Sequence, residues 1–216
     1  MAAKKKRHGA LALLEFETVA AGVLASDLMV KRAPIALLRC GTIHPGRFLI
    51  LVGGSVASTE EAFVVGVQLG QSENTLAGSI FLGDVHPMLH DAVLGMRRVL
   101  AGDALAVVET RSSPALLAAV DAAVKSTPVV LCEVRLGDDL GGHALALMSG
   151  DLTDAETALS ICTERAGDQL LAKSLLPRLD TDLRQLLDHG TRFGLCPNFE
   201  PASAEYPEEI ACSWDA

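Results

Sequence analysis

The sequence predicts an α/β fold of the α+β kind built twice: two small domains in tandem, each a mostly antiparallel sheet with helices packed on it. Two observations carry this. First, the chain repeats itself. Ala10-Leu-Ala-Leu-Leu-Glu15 recurs as Ala104-Leu-Ala-Val-Val-Glu109, and Asp27-Leu-Met-Val-Lys31-Arg-Ala-Pro34 recurs as Asp121-Ala-Ala-Val-Lys125-Ser-Thr-Pro128. Over residues 10–37 eleven positions are identical at a spacing of 94, where composition alone predicts roughly two or three. Beyond the second strand the spacing becomes 96: Gly46, Leu49, Leu51, Gly54, Glu60 and Ala62 match Gly142, Leu145, Leu147, Gly150, Glu156 and Ala158. The second copy thus gains two residues in the loop at 135–142, against 41–46 in the first. Loops that differ on a repeated scaffold are where function is expected.

Second, hydrophobic periodicity within each copy reads strand, helix, strand, strand, helix, strand. Residues 11–16 form a short apolar strand, and residues 19–33 space their apolar side chains at a helical period until Pro34 ends the helix. Residues 35–40 and 47–52 are apolar runs joined by Gly-Thr-Ile-His-Pro-Gly, a hairpin with a longer loop. Gly53-Gly54 makes the next turn. Ser58-Thr-Glu-Glu61 opens the second helix with a cap and acidic first-turn residues, as Thr153-Asp-Ala-Glu156 does in the second copy. Residues 79–82 and 174–176 supply the last strands, and each sheet carries helices on one face. The resulting division is a basic tail at 1–9, domains at 10–98 and 99–187, and an acidic, aromatic-containing tail at 188–216.

Composition narrows the function classes. Half the residues are hydrophobic but only 4% are aromatic, so the core is made of closely packed small aliphatic side chains. A net charge of −9 argues against a nucleic-acid surface, which needs clustered Lys and Arg. No apolar run approaches the length of a membrane helix, and the start, Lys4-Lys-Lys-Arg7 before Ala-Leu-Ala-Leu-Leu-Glu, turns acidic too soon for an export signal. Cys40, Cys132, Cys162, Cys196 and Cys212 are odd in number and contain no CxxC pair, which fits a reducing cytoplasm rather than a disulfide or zinc framework.

The ordered set of motifs resembles the bacterial microcompartment shell domain, and its doubling resembles the tandem, trimer-forming branch of that family in unpermuted order. The resemblance rests on the Glu-bearing opening strand, the helix ending Lys31-Arg-Ala-Pro34, the Pro45-Gly46 loop and the Gly-Gly-Ser-Val turn at 53–56, each with a second-copy counterpart. It implies a ferredoxin-like topology for each domain. It further implies a homotrimer shaped as a flat pseudohexagon, tiling a shell facet beside other shell hexamers and pentamers around encapsulated enzymes, with trimers able to stack. It also implies a tile edge carrying Lys31 and Lys125, and Arg178 just after the last strand; the first copy has Phe81-Leu-Gly-Asp84 there and lacks the arginine.

In that family the loop between the second and third strands lines the central pore. Here this means Thr42, Ile43, His44, Pro45 and Gly46 in the first copy and Gly137, Asp138, Asp139, Leu140, Gly141 and Gly142 in the second. On a threefold axis each residue occurs three times at one height. Some tandem members carry a cysteine where this chain has His44, three thiolates then holding an iron–sulfur cluster. Imidazoles replace thiolates poorly at such a site. Three His44 rings around an axis offer instead a divalent metal site with one open position, a polar lining, or a lining that titrates near neutral pH. Asp138 and Asp139 favour cations if they face the channel, and Asp beside Gly also makes turns.

Other signals are weaker. His86 and His90 stand at i, i+4, a spacing that can bind metal but reads here as a capped surface helix. Residues 4–7 read as a solvated tail, and the aromatic residues Phe193, Phe199, Tyr206 and Trp214 suggest that the acidic end docks on a protein face. No nucleophile, base and oxyanion site are placed together, so no catalysis is expected. The leading expectation is a structural shell protein with a pore for a metabolite or cofactor. The alternatives are a pore metal or iron–sulfur centre passing electrons across the shell and, more remotely, a trimeric ferredoxin-like regulator binding an effector between subunits.

Overall fold

The computed structural model describes residues 7–199 and 201. Lys4 to Lys6, Glu205, Tyr206, Pro207, Glu208, Glu209, Cys212 and Trp214 lie outside the described residues. The chain forms two compact units, one ending at Leu179 and containing both sheets, the other beginning at Asp180.

In the first unit the repeat is fully expressed. The first domain runs β1 (Ala10–Phe16), α1 (Val19–Arg32), β2 (Leu37–Ile43), β3 (Arg47–Gly54), α2 (Val56–Ser72) and β4 (Leu76–Leu82). A short helix, α3 (Pro87–Val93), follows. The second domain runs β5 (Ala104–Thr110), α4 (Ser113–Ser126), β6 (Val130–Leu136), β7 (Ala144–Gly150), α5 (Leu152–Ala166) and β8 (Leu170–Leu176). Strand orders are β2-β3-β1-β4 and β6-β7-β5-β8, with every pairing antiparallel. This is the ferredoxin-like arrangement, in which each helix crosses over one intervening strand. The registers of the β1–β3 and β5–β7 pairs match between copies: Ala10 faces Gly54 and Phe16 faces Phe48, as Ala104 faces Gly150 and Thr110 faces Ala144. In the neighbouring pair β6 has a bulge between Leu131 and Glu133 that β2 lacks, and the registers agree again from Glu133 to the loop. The changed spacing after the second strand is therefore a true loop insertion. In the second unit, α6 (Thr181–His189) is capped by Asp180, whose side chain accepts from the backbone N–H groups of Asp182 and Leu183.

Several boundaries differ from the sequence reading. Helix α2 starts at Val56 rather than near Ser58, because extended Ser55 takes the Ser58 N–H as an N-cap. Helix α5 likewise starts at Leu152 after Asp151. Gly53 and Gly54 end β3 instead of forming a turn; a Cβ on Gly53 would stand 2.7 Å from Leu11 Cδ2 on β1, so a side chain there would require Leu11 to shift. Helix α3 is not a surface helix. Leu89, His90, Asp91, Ala92 and Val93 are buried. Its two histidines serve the backbone: His86 Nδ1 caps Met88 N–H, and His90 Nε2 accepts from His8 N–H.

The larger difference concerns the faces of the first sheet. Ala12, Leu14 and Phe16 pack with Ala21, Ala25 and Met29 of α1 and Ala62 of α2. On the opposite face Leu11 and Leu13 join a core that continues into Leu116, Leu117 and Val120 of α4 and Leu89 of α3. All seven residues of β1 are consequently buried. The expectation of helices on one face only describes the isolated domain, and the second domain closes the other face.

The two copies fill equivalent spaces with different side chains. Gly22 of α1 lets Phe48 approach so closely that a Cβ would lie 2.3 Å from the ring. The matching positions hold Leu116 and Ala144, both buried. A large-and-small pair is thus inverted between copies, conserving volume. We expect Phe48→Ala to cost about 3–5 kcal/mol and Gly22→Leu about 1–3 kcal/mol through overpacking. The double variant should lose distinctly less than the sum; additive losses in urea unfolding would contradict the compensation.

Asp91 ties three segments together, accepting from Arg7 and Arg98 at 2.8 and 2.9 Å and approaching His90 Nδ1 at 3.4 Å. The Arg7 guanidinium, with His90 and Arg98, holds its carboxyl well below the usual carboxylate range, while burial lowers His90. Both groups bind protons more readily once unfolded, so stability falls as pH drops, first through the histidine range and then the carboxylate range. The slope of unfolding free energy against pH between about 5 and 3 is expected to be shallower in Asp91→Asn than in the parent.

Candidate functional site

Two hairpins that the sequence marks as different, residues 43–47 and 136–144, meet in the structure. The first is a tight connection in which Gly46 N–H donates to Ile43 O, with His44-Pro45 in the cis form. The second is wider and is built on left-handed residues: Gly137, Asp139, Gly141 and Gly142 all have positive φ. Gly142 N–H closes it onto Gly137 O, and Arg135 donates a guanidinium N–H to Asp138 O. A Cβ on Gly142 would stand 2.7 Å from His44 O, and one on Gly137 would stand 2.6 Å from Ile43 Cδ1. The absence of side chains at these two glycines is what lets the loops touch.

The tip residues divide by exposure. Thr42, His44, Pro45, Gly46, Asp138, Asp139 and Gly141 are exposed and Leu140 is half-buried. Ile43, Gly137 and Gly142 are buried where the loops abut. The exposed surface of the pair carries one imidazole and two carboxylates. Cys40 lies in β2, away from the tip, and among the described residues no three His, Cys, Asp or Glu side chains gather as a metal site within the chain. Its donor set does not fit an iron–sulfur cluster: the hairpin has no thiol, and Cys162 is a core residue whose burial pushes its thiol up to about 12.

The domains are joined beside these tips by a contact that sequence reading did not find. Glu15, fully buried at the end of β1, accepts from Arg47 through Oε1 at 2.7 Å and from Ser113 N–H through Oε2 at 3.0 Å. Burial pushes the Glu15 carboxyl up, and Arg47 opposes that push. Ser112, the N-cap residue of α4, makes no side-chain capping bond, so a carboxylate from the first domain takes its place at the positive helix end. The signal was present: an acidic residue within an otherwise apolar strand demands a partner. What the sequence lacks is the identity of that partner, 98 residues away.

The residues assigned to the tile edge are not equivalent. Lys31 pairs with Asp27 at 2.6 Å and its side chain is 70% exposed. Lys125 makes the same i, i+4 pair with Asp121 but is only 37% exposed, because it also donates to Asp84 O. Arg178 is exposed just past β8.

Two four-stranded antiparallel sheets with crossover helices, joined in tandem and offering paired hairpin tips, define a doubled shell-type domain. A model of the BMC domain matches residues 10–83 and 104–179. The bacterial microcompartment shell protein PduT of Citrobacter freundii is 34% identical over 171 residues, covering 78% of this chain and 92% of that protein. The carboxysome assembly protein CcmO of Synechocystis sp. is 26% identical, covering 93% of this chain and 71% of that protein. A crystal structure of a microcompartment protein from Desulfitobacterium hafniense DCB superposes with a TM-score of 0.71 at 27% identity, covering 82% of this chain and 98% of that one. The chain belongs to the BMC domain family in its tandem form and is a bacterial microcompartment shell protein, one of a structural family whose members assemble with other shell proteins. Among the described residues no helix is long and apolar enough to cross a membrane.

Because Gly142 combines φ +87° with backbone contact to His44, Gly142→Ala is expected to destabilise the first unit by about 1–3 kcal/mol. Gly141→Ala, strained in φ but open in space, should cost less. Equal losses in thermal unfolding would mean that the loop contact contributes nothing.

Proposed function

We propose that three copies of the chain close into a pseudohexameric ring that tiles a shell facet, with an opening on its axis through which a metabolite or cofactor passes. The observation that carries this is the meeting of the two hairpin tips. Six such tips, three of each kind, suit the rim of one opening, as they would not if the loops pointed to separate surfaces. Thr42, Ile43, His44, Pro45 and Gly46 contribute one set and Gly137, Asp138, Asp139, Leu140 and Gly141 the other. Lys31, Lys125 and Arg178 fall to the outer edge, where other hexamers and pentamers of the shell dock, with stacked trimers and the enclosed enzymes as further partners.

The chemistry of the opening follows from its side chains. Asp138 and Asp139 give six carboxylates per ring, a field that concentrates cations and slows anions. His44 supplies three imidazoles, a polar lining and a weak site for a divalent metal rather than a cluster support. The reading is of a conduit rather than an enzyme, in keeping with the structural family to which the chain belongs.

Sedimentation of the purified chain is expected to give three times its 22.6 kDa mass, and electron microscopy flat plates or sheets. A chain that stays monomeric at all concentrations rules out the ring. In planar bilayers the preference for cations over anions is expected to fall in Asp138→Asn/Asp139→Asn, whereas an unchanged preference would place those carboxylates away from the opening. Purified anaerobically, the protein should show no iron–sulfur absorbance.

A further inference from the structure

We propose that His90 is a pH-operated latch on the start of the chain: the neutral ring holds residues 7–9 against α3, and the protonated ring releases them. Every part of this device lies in the first unit, so it does not depend on the ring reading.

The segment leading into β1 is clamped between the end of β3 and α3. On one side His8 packs over the end of β3, its Cβ 3.5 Å from where a Cβ on Gly53 would stand. On the other, the His8 backbone N–H donates to Nε2 of His90 at 3.1 Å, and the two imidazole rings lie 5.5 Å apart between centroids. Arg7 donates to Asp91 through Nε at 3.2 Å and Nη2 at 2.8 Å. His90 and Asp91 are only 2% and 3% exposed, so water reaches their bonds to this segment when the segment moves away.

An imidazole nitrogen accepts a hydrogen bond only while it carries no proton. Because Nε2 accepts from His8, the single ring proton of neutral His90 belongs on Nδ1, which faces Asp91 Oδ1 at 3.4 Å. A second proton has only Nε2 to occupy. There it sets an N–H against the N–H of His8 and puts a cation beside Arg7 in a buried site. The imidazolium also gives Asp91 a new charged partner. With Arg98 already donating at 2.9 Å, the carboxylate then no longer depends on Arg7. One protonation thus breaks the His8 bond and weakens the hold on Arg7.

The other charged groups around α3 are engaged elsewhere. His86 takes the Met88 N–H on Nδ1, and its backbone N–H bonds Asp121 of α4, which Lys125 pairs at 2.6 Å. Arg97 reaches Glu133 of β6. Burial lowers both His86 and His90, but it is His90 that bonds residue 8. The docked state therefore binds fewer protons than the released one, so docking is complete above the histidine range and is lost as pH falls through it. Arg7 and His8 continue the basic run that begins at Lys4 in the sequence, and acid adds them to the basic end that the chain presents.

Amide hydrogen exchange on the full-length protein, corrected for the intrinsic rate at each pH, reads the latch. Protection across residues 7–9 is expected at about pH 8 and should fall by up to about tenfold per pH unit below the His90 titration, the limit for one coupled proton. The amides of β1 should stay protected throughout. His90→Gln offers an amide oxygen in place of Nε2 and does not titrate, so its protection should persist to about pH 5. His8→Ala keeps the backbone donor and should keep the pH response. The latch is overturned by protection that is absent or independent of pH in the parent, that still responds in His90→Gln, or that stops responding in His8→Ala. Loss of β1 protection in step with residues 7–9 overturns it too, since acid is then unfolding the domain. Should His90→Gln fail to fold, the parent and His8→Ala decide.

Discussion

The buried carboxylate of Glu15 is the constraint on which the rest of the first unit depends. Placing a charge at the end of a fully buried strand is costly unless its lone pairs are filled. Here the filling comes from two directions, Arg47 within the domain and the first N–H of α4 from the other domain. The second bond determines where α4 begins relative to β1, and α4 in turn covers Leu11 and Leu13. Without that cover the outer face of the first sheet would be an apolar surface of the kind soluble monomers rarely leave open. The tandem domains are therefore halves of one core rather than beads on a string.

Repeated topology with unequal side chains explains how the sequence can drift while the register holds. Gly22 and Phe48 occupy the space that Leu116 and Ala144 occupy in the second copy. Gly66, whose Cβ would meet Leu14 and Met29, corresponds to Cys162, whose neighbours at the matching positions are the smaller Val108 and Ala123. Each exchange keeps volume while moving it from strand to helix or back, so a close-packed interior tolerates it. Residue identity is lost at such places, and only the apolar pattern survives.

That is also why the fold was largely legible in the sequence and the site only partly so. Strand and helix order and the loop insertion follow from periodicity and from the spacing of 94 changing to 96, which are local or one-dimensional signals, whereas the bulge between Leu131 and Glu133 leaves no trace in that spacing. Helix starts slipped by a few residues because Ser55 and Ser58 are equally good caps on paper, and the choice belongs to the extended backbone leaving β3. The burial of His90 and of Asp91, and the pairing of Glu15 with Ser113, depend on segments far apart in the chain. So does the contact of Gly142 with His44: the glycines announce a turn, but that their bareness serves a neighbouring loop is visible only once both hairpins stand side by side.

Duplication then has a chemical consequence. In a ring of six identical domains every tip would carry the same side chain; in the proposed ring of three tandem chains the tips alternate. Three positions hold His44 beside Pro45 in a tight connection closed by Gly46 N–H on Ile43 O. The other three hold Asp138 and Asp139 among glycines whose left-handed conformations give a wider loop. Imidazole thus alternates with carboxylate around one opening, and either set can change by mutation without disturbing the other, because the contact between the loops is made by Gly137 and Gly142 against Ile43 and the His44 backbone, not by the exposed His44, Asp138 and Asp139 side chains. A scaffold whose loops touch through bare glycines leaves the exposed tip side chains free to set what passes.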